Sequence, residues 1–221
     1  MPAGKAAPTV ILTRETFLTS ANATEADMTE SPLRVAIIIG STREGRFGAR
    51  VADWFAEQAA ARSDMIVDVV DQSRRPLPEV GAEPADDEQA DAAAWVRRTL
   101  DAADAFVIVT PEYNHSYPAP LKNLIDLHYT EWRAKPVAFV SYGGMAGGQR
   151  AVEHLRQVLA ELHATTIRDT VSFHNAWDDF DADGRLRNPS ASNAAAKVLL
   201  DQLAWWAHAL REARAKRPYA A

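Results

Sequence analysis

The chain has 221 residues, a length suited to one domain with a buried core. Its 47% hydrophobic and 24% charged content is that of a globular protein, and a net charge of -6 offers no basic face for nucleic acid. Cysteine is absent, which excludes disulfides, thiolate metal sites and a Cys nucleophile; any redox chemistry must then reside on a bound cofactor.

Residues 1–31 are rich in Ala, Thr and Glu without a sustained period, and are expected to be a flexible N-terminal tail ahead of one domain over 32–217. Met28, just before 29–32 (TESP), is a candidate for the true start. No apolar run approaches the roughly 18 residues of a membrane helix, and Val10-Ile11-Leu12 is too short for a secretory signal. A cytoplasmic location is the default expectation.

From Leu33 the pattern alternates. Residues 34–40 (RVAIIIG) form a continuous apolar run ending in Gly, which suits a strand buried on both faces. A helix is predicted over 47–62, with Val51, Trp54, Phe55 and Ala59 at helical spacing. A second strand follows over 65–70, then a Pro-rich loop and a helix over 86–102. The third strand is 105–110 (AFVIVT), followed by a helix over 119–129 and a fourth strand over 136–141 (PVAFVS). An amphipathic helix over 147–163, a fifth strand over 165–173 and a long helix over 190–214 complete the chain. Strands alternating with helices indicate a parallel sheet covered on both sides, and five units suit the doubly wound order 2-1-3-4-5. A barrel needs about eight strands. A six-stranded dinucleotide-binding sheet is the alternative, disfavoured because only five strands are legible.

In such a sheet, ligands bind beyond the carboxyl ends of the strands, so the loops after strands one, three and four matter most. The first is Gly40-Ser41-Thr42-Arg43-Glu44-Gly45-Arg46-Phe47-Gly48, leading into a helix N-terminus that suits a phosphate. Ser41 and Thr42 add hydroxyls; Arg43 and Arg46 add charged donors. It matches neither a Walker A loop nor a G-x-G-x-x-G motif. The bland alternative is a capped turn with two solvated arginines. The second loop, from Thr110 and Pro111 through Glu112, Tyr113, Asn114, His115 and Ser116 to Pro118, is stiffened by its prolines. It can point backbone groups at the edge of a planar heterocycle, with Tyr113 against a ring face; otherwise it is a rigid connector. The third loop, Ser141-Tyr142-Gly143-Gly144-Met145-Ala146-Gly147-Gly148, holds four glycines that let backbone approach a ligand. Gly143 and Gly144 are the better candidates for N–H donors, whereas Gly147 and Gly148 suit a tight turn equally well.

Taken together, Gly40-Ser41-Thr42-Arg43, Pro111-Glu112-Tyr113-Asn114 and Gly143-Gly144 resemble the motifs of the NADPH-dependent FMN reductase family over residues 33–171. That family includes quinone, chromate and azo-dye reductases, and the resemblance implies a flavodoxin-like three-layer fold. It implies that FMN is the cofactor, with Ser41 and Arg43 holding its phosphate. Glu112, Tyr113 and Asn114 would line the isoalloxazine ring, and Ser141, Gly143 and Gly144 would close its far side. Phe47, at the following helix start, and Pro111 belong to the same candidate set. Many members carry Ser and Asn where this chain has Arg46 and Gly48, so Arg46 is a candidate replacement donor, whereas Gly48 has no side chain to offer. The resemblance further implies a homodimer or homotetramer, with 121–129 and Trp132 as interface candidates; the plain alternative for Lys122 and Asp126 is a surface pair at i,i+4.

Other signals are set aside. Asp179-Phe180-Asp181-Ala182-Asp183-Gly184 begins like a calcium loop, but the twelfth position is Ser190 where such a loop needs Glu. The six histidines show no metal-ligand spacing, and no G-x-S-x-G elbow is present. His154 reads as surface, and His174 with Asn175 as near the third loop. Trp205 and Trp206 read as core or oligomer contacts. The implied activity is hydride transfer from NADPH or NADH onto FMN, followed by reduction of a small acceptor: a quinone, free flavin, an azo compound or a metal oxyanion. It requires no protein acid or base for its first half, so no catalytic residue and no metal ligand is named. The alternatives are a flavodoxin-type electron carrier without direct NAD(P)H reactivity, disfavoured because such carriers use a Ser/Thr-rich phosphate loop, and a binding module that has lost the cofactor.

Overall fold

The computed structural model describes residues 31–220. The expected tail therefore lies outside the described residues except for Ser31, as does Met28. Five strands form one parallel sheet, β1 (Leu33–Ile39), β2 (Met65–Asp71), β3 (Ala105–Pro111), β4 (Pro136–Gly143) and β5 (Thr165–His174), in the order β2-β1-β3-β4-β5. Among the described residues the helices are α1 (Gly48–Ala60), α2 (Asp87–Ala102), α3 (Ala119–Leu127), α4 (Gln149–Glu161), α5 (Ala176–Asp179) and α6 (Pro189–Lys216).

The layers follow from the two-residue period of the strands. Along β1, Leu33, Val35, Ile37 and Ile39 face a core shared with α1 and α6. The intervening Ala36 and Ile38 face a second core with α2, α3 and α4. A strand buried on both faces has no use for polar residues, which is why β1, β3 and β4 read as unbroken apolar runs.

Two departures from the predicted elements have local causes. The helix expected over 119–129 stops at Leu127, because the His128 ring turns back to hydrogen-bond the Leu124 carbonyl at 2.8 Å. The chain then sends Trp132 inward, fully buried and 4.6 Å from the Phe106 ring centroid. Trp132 is therefore a core residue of its own chain and is withdrawn as an interface candidate, whereas Tyr129 is exposed. The short α5 follows Asn175, which turns the chain in the left-handed region at φ 49°; four residues are too few to display a helical period. The acidic stretch before α6 is a turn, closed by Arg185 N–H donating to the Asp181 carboxylate at 2.8 Å.

The sheet order brings the decisive strand ends side by side. Ile39 is in register with Val109, Thr110 with Ser141, Pro111 with Tyr142, and Gly143 with His174. The loops after β1, β3 and β4 thus emerge next to one another at the carboxyl edge, where the winding direction reverses between β1 and β3.

Candidate functional site

The loop after β1 begins under close confinement. Gly40 donates its N–H to the Val109 carbonyl at 2.8 Å, and a Cβ there would lie 3.1 Å from Leu121 Cδ2. Ser41 is buried, and its hydroxyl shares a 2.8 Å hydrogen bond with the Tyr113 hydroxyl of the second loop. The loop then turns through Gly45, at φ 65°, with Arg46 N–H donating to the Arg43 carbonyl at 3.1 Å. Among the described residues, the N–H groups of Thr42, Glu44 and Gly45 make no hydrogen bond to protein. Unpaired donors between a strand end and a helix N-terminus are what an anion requires. The Arg43 side chain is exposed beside them.

The other two first-loop candidates have protein partners of their own. Arg46 pairs through Nη2 with the Asp71 carboxylate at the end of β2. The Phe47 ring packs inward, 5.2 Å from Phe180 and 6.0 Å from Tyr142; its contribution to the loop is to anchor the start of α1.

The second loop owes its shape to a two-residue hairpin. Tyr113 N–H donates to the Ser116 carbonyl at 2.8 Å and Ser116 N–H returns to the Tyr113 carbonyl at 3.1 Å. Between them Asn114 and His115 both have positive φ, 49° and 73°, the pattern of a type I′ turn. Asn tolerates this region; His does so at a cost of about 1 kcal/mol. Glu112 is held by Arg150 of α4 at 2.8 Å, and Ser116 contacts His154 Nδ1 at 3.0 Å. Tyr113 keeps part of its ring in solvent, and Pro111 is buried in the strand end.

In the third loop the two glycine pairs have different roles. Gly147 and Gly148 adopt φ 59° and 82°, and a Cβ on Gly148 would meet Ser141 Cβ at 2.8 Å and Tyr142 N at 2.9 Å. The Ser141 and Ser172 hydroxyls both donate to the Gly147 carbonyl at 2.8 Å. Ser141, fully buried, therefore folds the loop. Asn175 N–H donates to the Gly144 carbonyl at 3.0 Å, and the His174 ring contacts the Met145 carbonyl at 2.8 Å, so the corner after β5 does approach this loop. Gly143 and Gly144 are half-buried, and Gly144 has only Trp177 nearby, 3.6 Å from where a Cβ would stand.

Tyr142 connects all of this. Its hydroxyl reaches the start of α1, where it fills the space a Cβ on Gly48 would need; burial pushes the phenol above its usual range, so it stays neutral. Ser41 and Tyr113 thus join the first two loops through their hydroxyls, and Tyr142 sets the third against the start of α1. Tyr142, Asp71 and Trp177 were not singled out by sequence reasoning. Trp177 is 59% exposed beside Gly144.

The model of the family described as NADPH-dependent FMN reductase matches residues 33–178, which span all three loops. The chain belongs to this family. An NAD(P)H-dependent FMN reductase of Schizosaccharomyces pombe is 36% identical over 144 residues, covering 61% of this chain and 70% of that protein. A protein of Oryza sativa subsp. japonica named "Probable NADPH:quinone oxidoreductase 2" is 34% identical over 185 residues, covering 80% of this chain and 90% of its own. Among solved structures, the NAD(P)H:(acceptor) oxidoreductase FerB of Paracoccus denitrificans superposes with a TM-score of 0.59 at 19% identity, covering 79% of this chain and 97% of that one; it supports the flavodoxin-like fold. Among the described residues of this FMN reductase family member, no helix is long and apolar enough to cross a membrane, and no group of three acidic or His side chains is placed to hold a metal.

Proposed function

We propose that this family member is an FMN-dependent oxidoreductase that takes hydride from NADPH or NADH and reduces a small acceptor, with quinones first among the candidates. The observation that carries the reading is the set of unpaired N–H groups at Thr42, Glu44 and Gly45, lying beside the Ser41 hydroxyl and ahead of α1. FMN fits this donor set: a phosphate dianion would take those N–H groups, the Ser41 hydroxyl and the Arg43 guanidinium. Asn114 and the Pro111-Glu112 backbone would meet the ring edge, and Tyr113 its face. Gly143 and Gly144 would present backbone without a side chain between it and the ring. When bound, the flavin would supply the hydride-accepting centre and return two electrons to the acceptor.

The protein's part is then positional. The Ser41–Tyr113 bond and the Glu112–Arg150 pair keep the second loop over the first and against α4. Ser141 and Ser172 hold the glycine loop, so its donors are fixed before any ligand arrives, which is the form in which dipoles stabilise developing charge most effectively. Assembly as a homodimer or homotetramer and a cytoplasmic location belong to the same proposal; exposed Tyr129 beyond α3 supports the assembly.

The test is steady-state NADPH and NADH oxidation by FMN-loaded protein with a soluble benzoquinone, free FMN and an azo dye as acceptors. Turnover that depends on both FMN and acceptor supports the proposal. Oxidation of NADPH at the rate of a protein-free FMN control would end it.

A further inference from the structure

The strand β5 ends against the third loop, with His174 in register with Gly143. From this corner three donors take up carbonyls of the loop. Asn175 N–H donates to the Gly144 carbonyl at 3.0 Å, His174 Nδ1–H to the Met145 carbonyl at 2.8 Å, and the Ser172 hydroxyl to the Gly147 carbonyl at 2.8 Å. A carbonyl has no proton to give, so this contact keeps the hydrogen of the neutral imidazole on Nδ1. The ring also lies against Gly147, where a Cβ would stand 2.8 Å from Nε2.

Gly147 N–H donates to the Gly144 carbonyl at 3.0 Å, which closes a turn with Met145 and Ala146 at its middle. The turn is thus closed without His174. What a turn of this kind leaves open is the orientation of its central peptide, whose reversal separates type I from type II. His174 fixes that peptide by holding the Met145 carbonyl. In a trans peptide the following N–H points opposite to the carbonyl. With the Gly144 and Met145 carbonyls drawn toward the end of β5, the N–H groups of Met145 and Ala146 turn away from it. Neither makes a hydrogen bond to protein among the described residues. β4 separates β5 from β3 in the sheet, so the side away from β5 is the side on which the first two loops emerge.

We propose that His174 is a positioning residue for the flavin ring: by holding the Met145 carbonyl it aims the Met145 and Ala146 N–H groups at the ring, where they favour its reduced form. The inference rests on the proposed FMN-binding role and extends it to a β5 side chain that itself touches no ligand. A reduced flavin carries more negative charge than an oxidised one, so donors fixed in advance stabilise it more.

The experiment measures the dissociation constant of oxidised FMN and the midpoint potential of the bound FMN at pH 8. The chains compared are wild type, His174→Asn, His174→Gln and His174→Phe. The amide nitrogen of Asn stands where Nδ1 does, that of Gln where Nε2 does, and Phe donates nothing. In the Phe and Gln variants, reduced FMN is expected to bind about fivefold more weakly relative to oxidised FMN, which lowers the potential by about 20 mV for a two-electron couple. His174→Asn should keep the wild-type potential. A potential unchanged in both the Phe and Gln variants, with or without weaker binding of oxidised FMN, means that the ring only supports the loop, and overturns the inference. An equal drop in His174→Asn assigns the effect to ring packing and overturns the donor role. Should His174→Phe fail to fold, His174→Gln carries the comparison. A wild type that binds no FMN ends the underlying reading and this inference with it, an outcome distinct from bound FMN whose potential ignores residue 174.

Discussion

The hydroxyl of Tyr142 occupies the space that a side chain on Gly48 would need: a Cβ there would overlap the hydroxyl and lie 3.1 Å from the ring carbon that bears it. The first residue of α1 and the strand end of β4 are thereby interlocked, and with them the first and third loops. Gly48→Ala gains about 1 kcal/mol of helix propensity but forces the ring aside, which costs about 1–3 kcal/mol. We expect a net loss of stability in urea unfolding. The loss should shrink by about 1 kcal/mol or more in a Tyr142→Phe background, where the clashing atom is gone. Equal effects in both backgrounds would contradict the interlock.

Lys135 should make stability depend on alkaline pH. Its ammonium donates to the Leu100 and Asp101 carbonyls at the end of α2, at 2.9 and 2.8 Å, and burial pushes its pKa down to about 8. Below pH 8 the folded and unfolded chains both hold the proton and the burial cost is constant. Between pH 8 and the ordinary lysine range only the unfolded chain holds it, so the stability contributed by this residue rises with pH. Wild type should gain about 2 kcal/mol over Lys135→Met between pH 7 and pH 10. A pH-independent difference between the two chains would refute this.

Trp177 stands 59% exposed beside Gly144, with Met145 90% exposed in the same loop. Large apolar groups left in water at the rim of a candidate site suit a flat aromatic acceptor. Trp177→Ala should raise KM for quinones about 2–10-fold, the worth of one aromatic contact, with KM for ferricyanide unchanged. Parallel changes for both acceptors would show that the side chain only supports the loop.

His115 carries the unfavourable half of the type I′ turn, where glycine is the preferred residue. His115→Gly removes about 1–2 kcal/mol of left-handed strain and adds about 0.5–1 kcal/mol of backbone entropy cost. A modest rise in Tm is expected, with NAD(P)H oxidation retained. A fall in Tm would mean that the ring near His154 contributes more than the backbone strain removes.

The sheet was legible because β1, β3 and β4 are buried on both faces and must be apolar throughout. The three motif loops were legible because they lie where that sheet accepts ligands. What sequence could not display was which neighbour each polar side chain chooses. Arg46 reads as a free donor until β2 is placed beside β1 and Asp71 meets it. Ser141 and Phe47 read as ligand contacts, and the Ser141 bond to the Gly147 carbonyl and the Phe47 packing on the Phe180 ring are not visible in the sequence. Trp132 follows a helix and resembles an interface residue, yet the early stop at His128 turns it into the core. Such choices are tertiary, and no local period encodes them.

The central claim is that this chain holds FMN where a nicotinamide nucleotide can reach it. Anaerobic stopped-flow mixing of the FMN-loaded protein with NADPH tests it most directly. Bleaching of the flavin band within seconds, and its return when a quinone is added, is the predicted result. A protein that takes up no FMN, or whose flavin keeps its oxidised spectrum under excess NADPH and NADH, would contradict it.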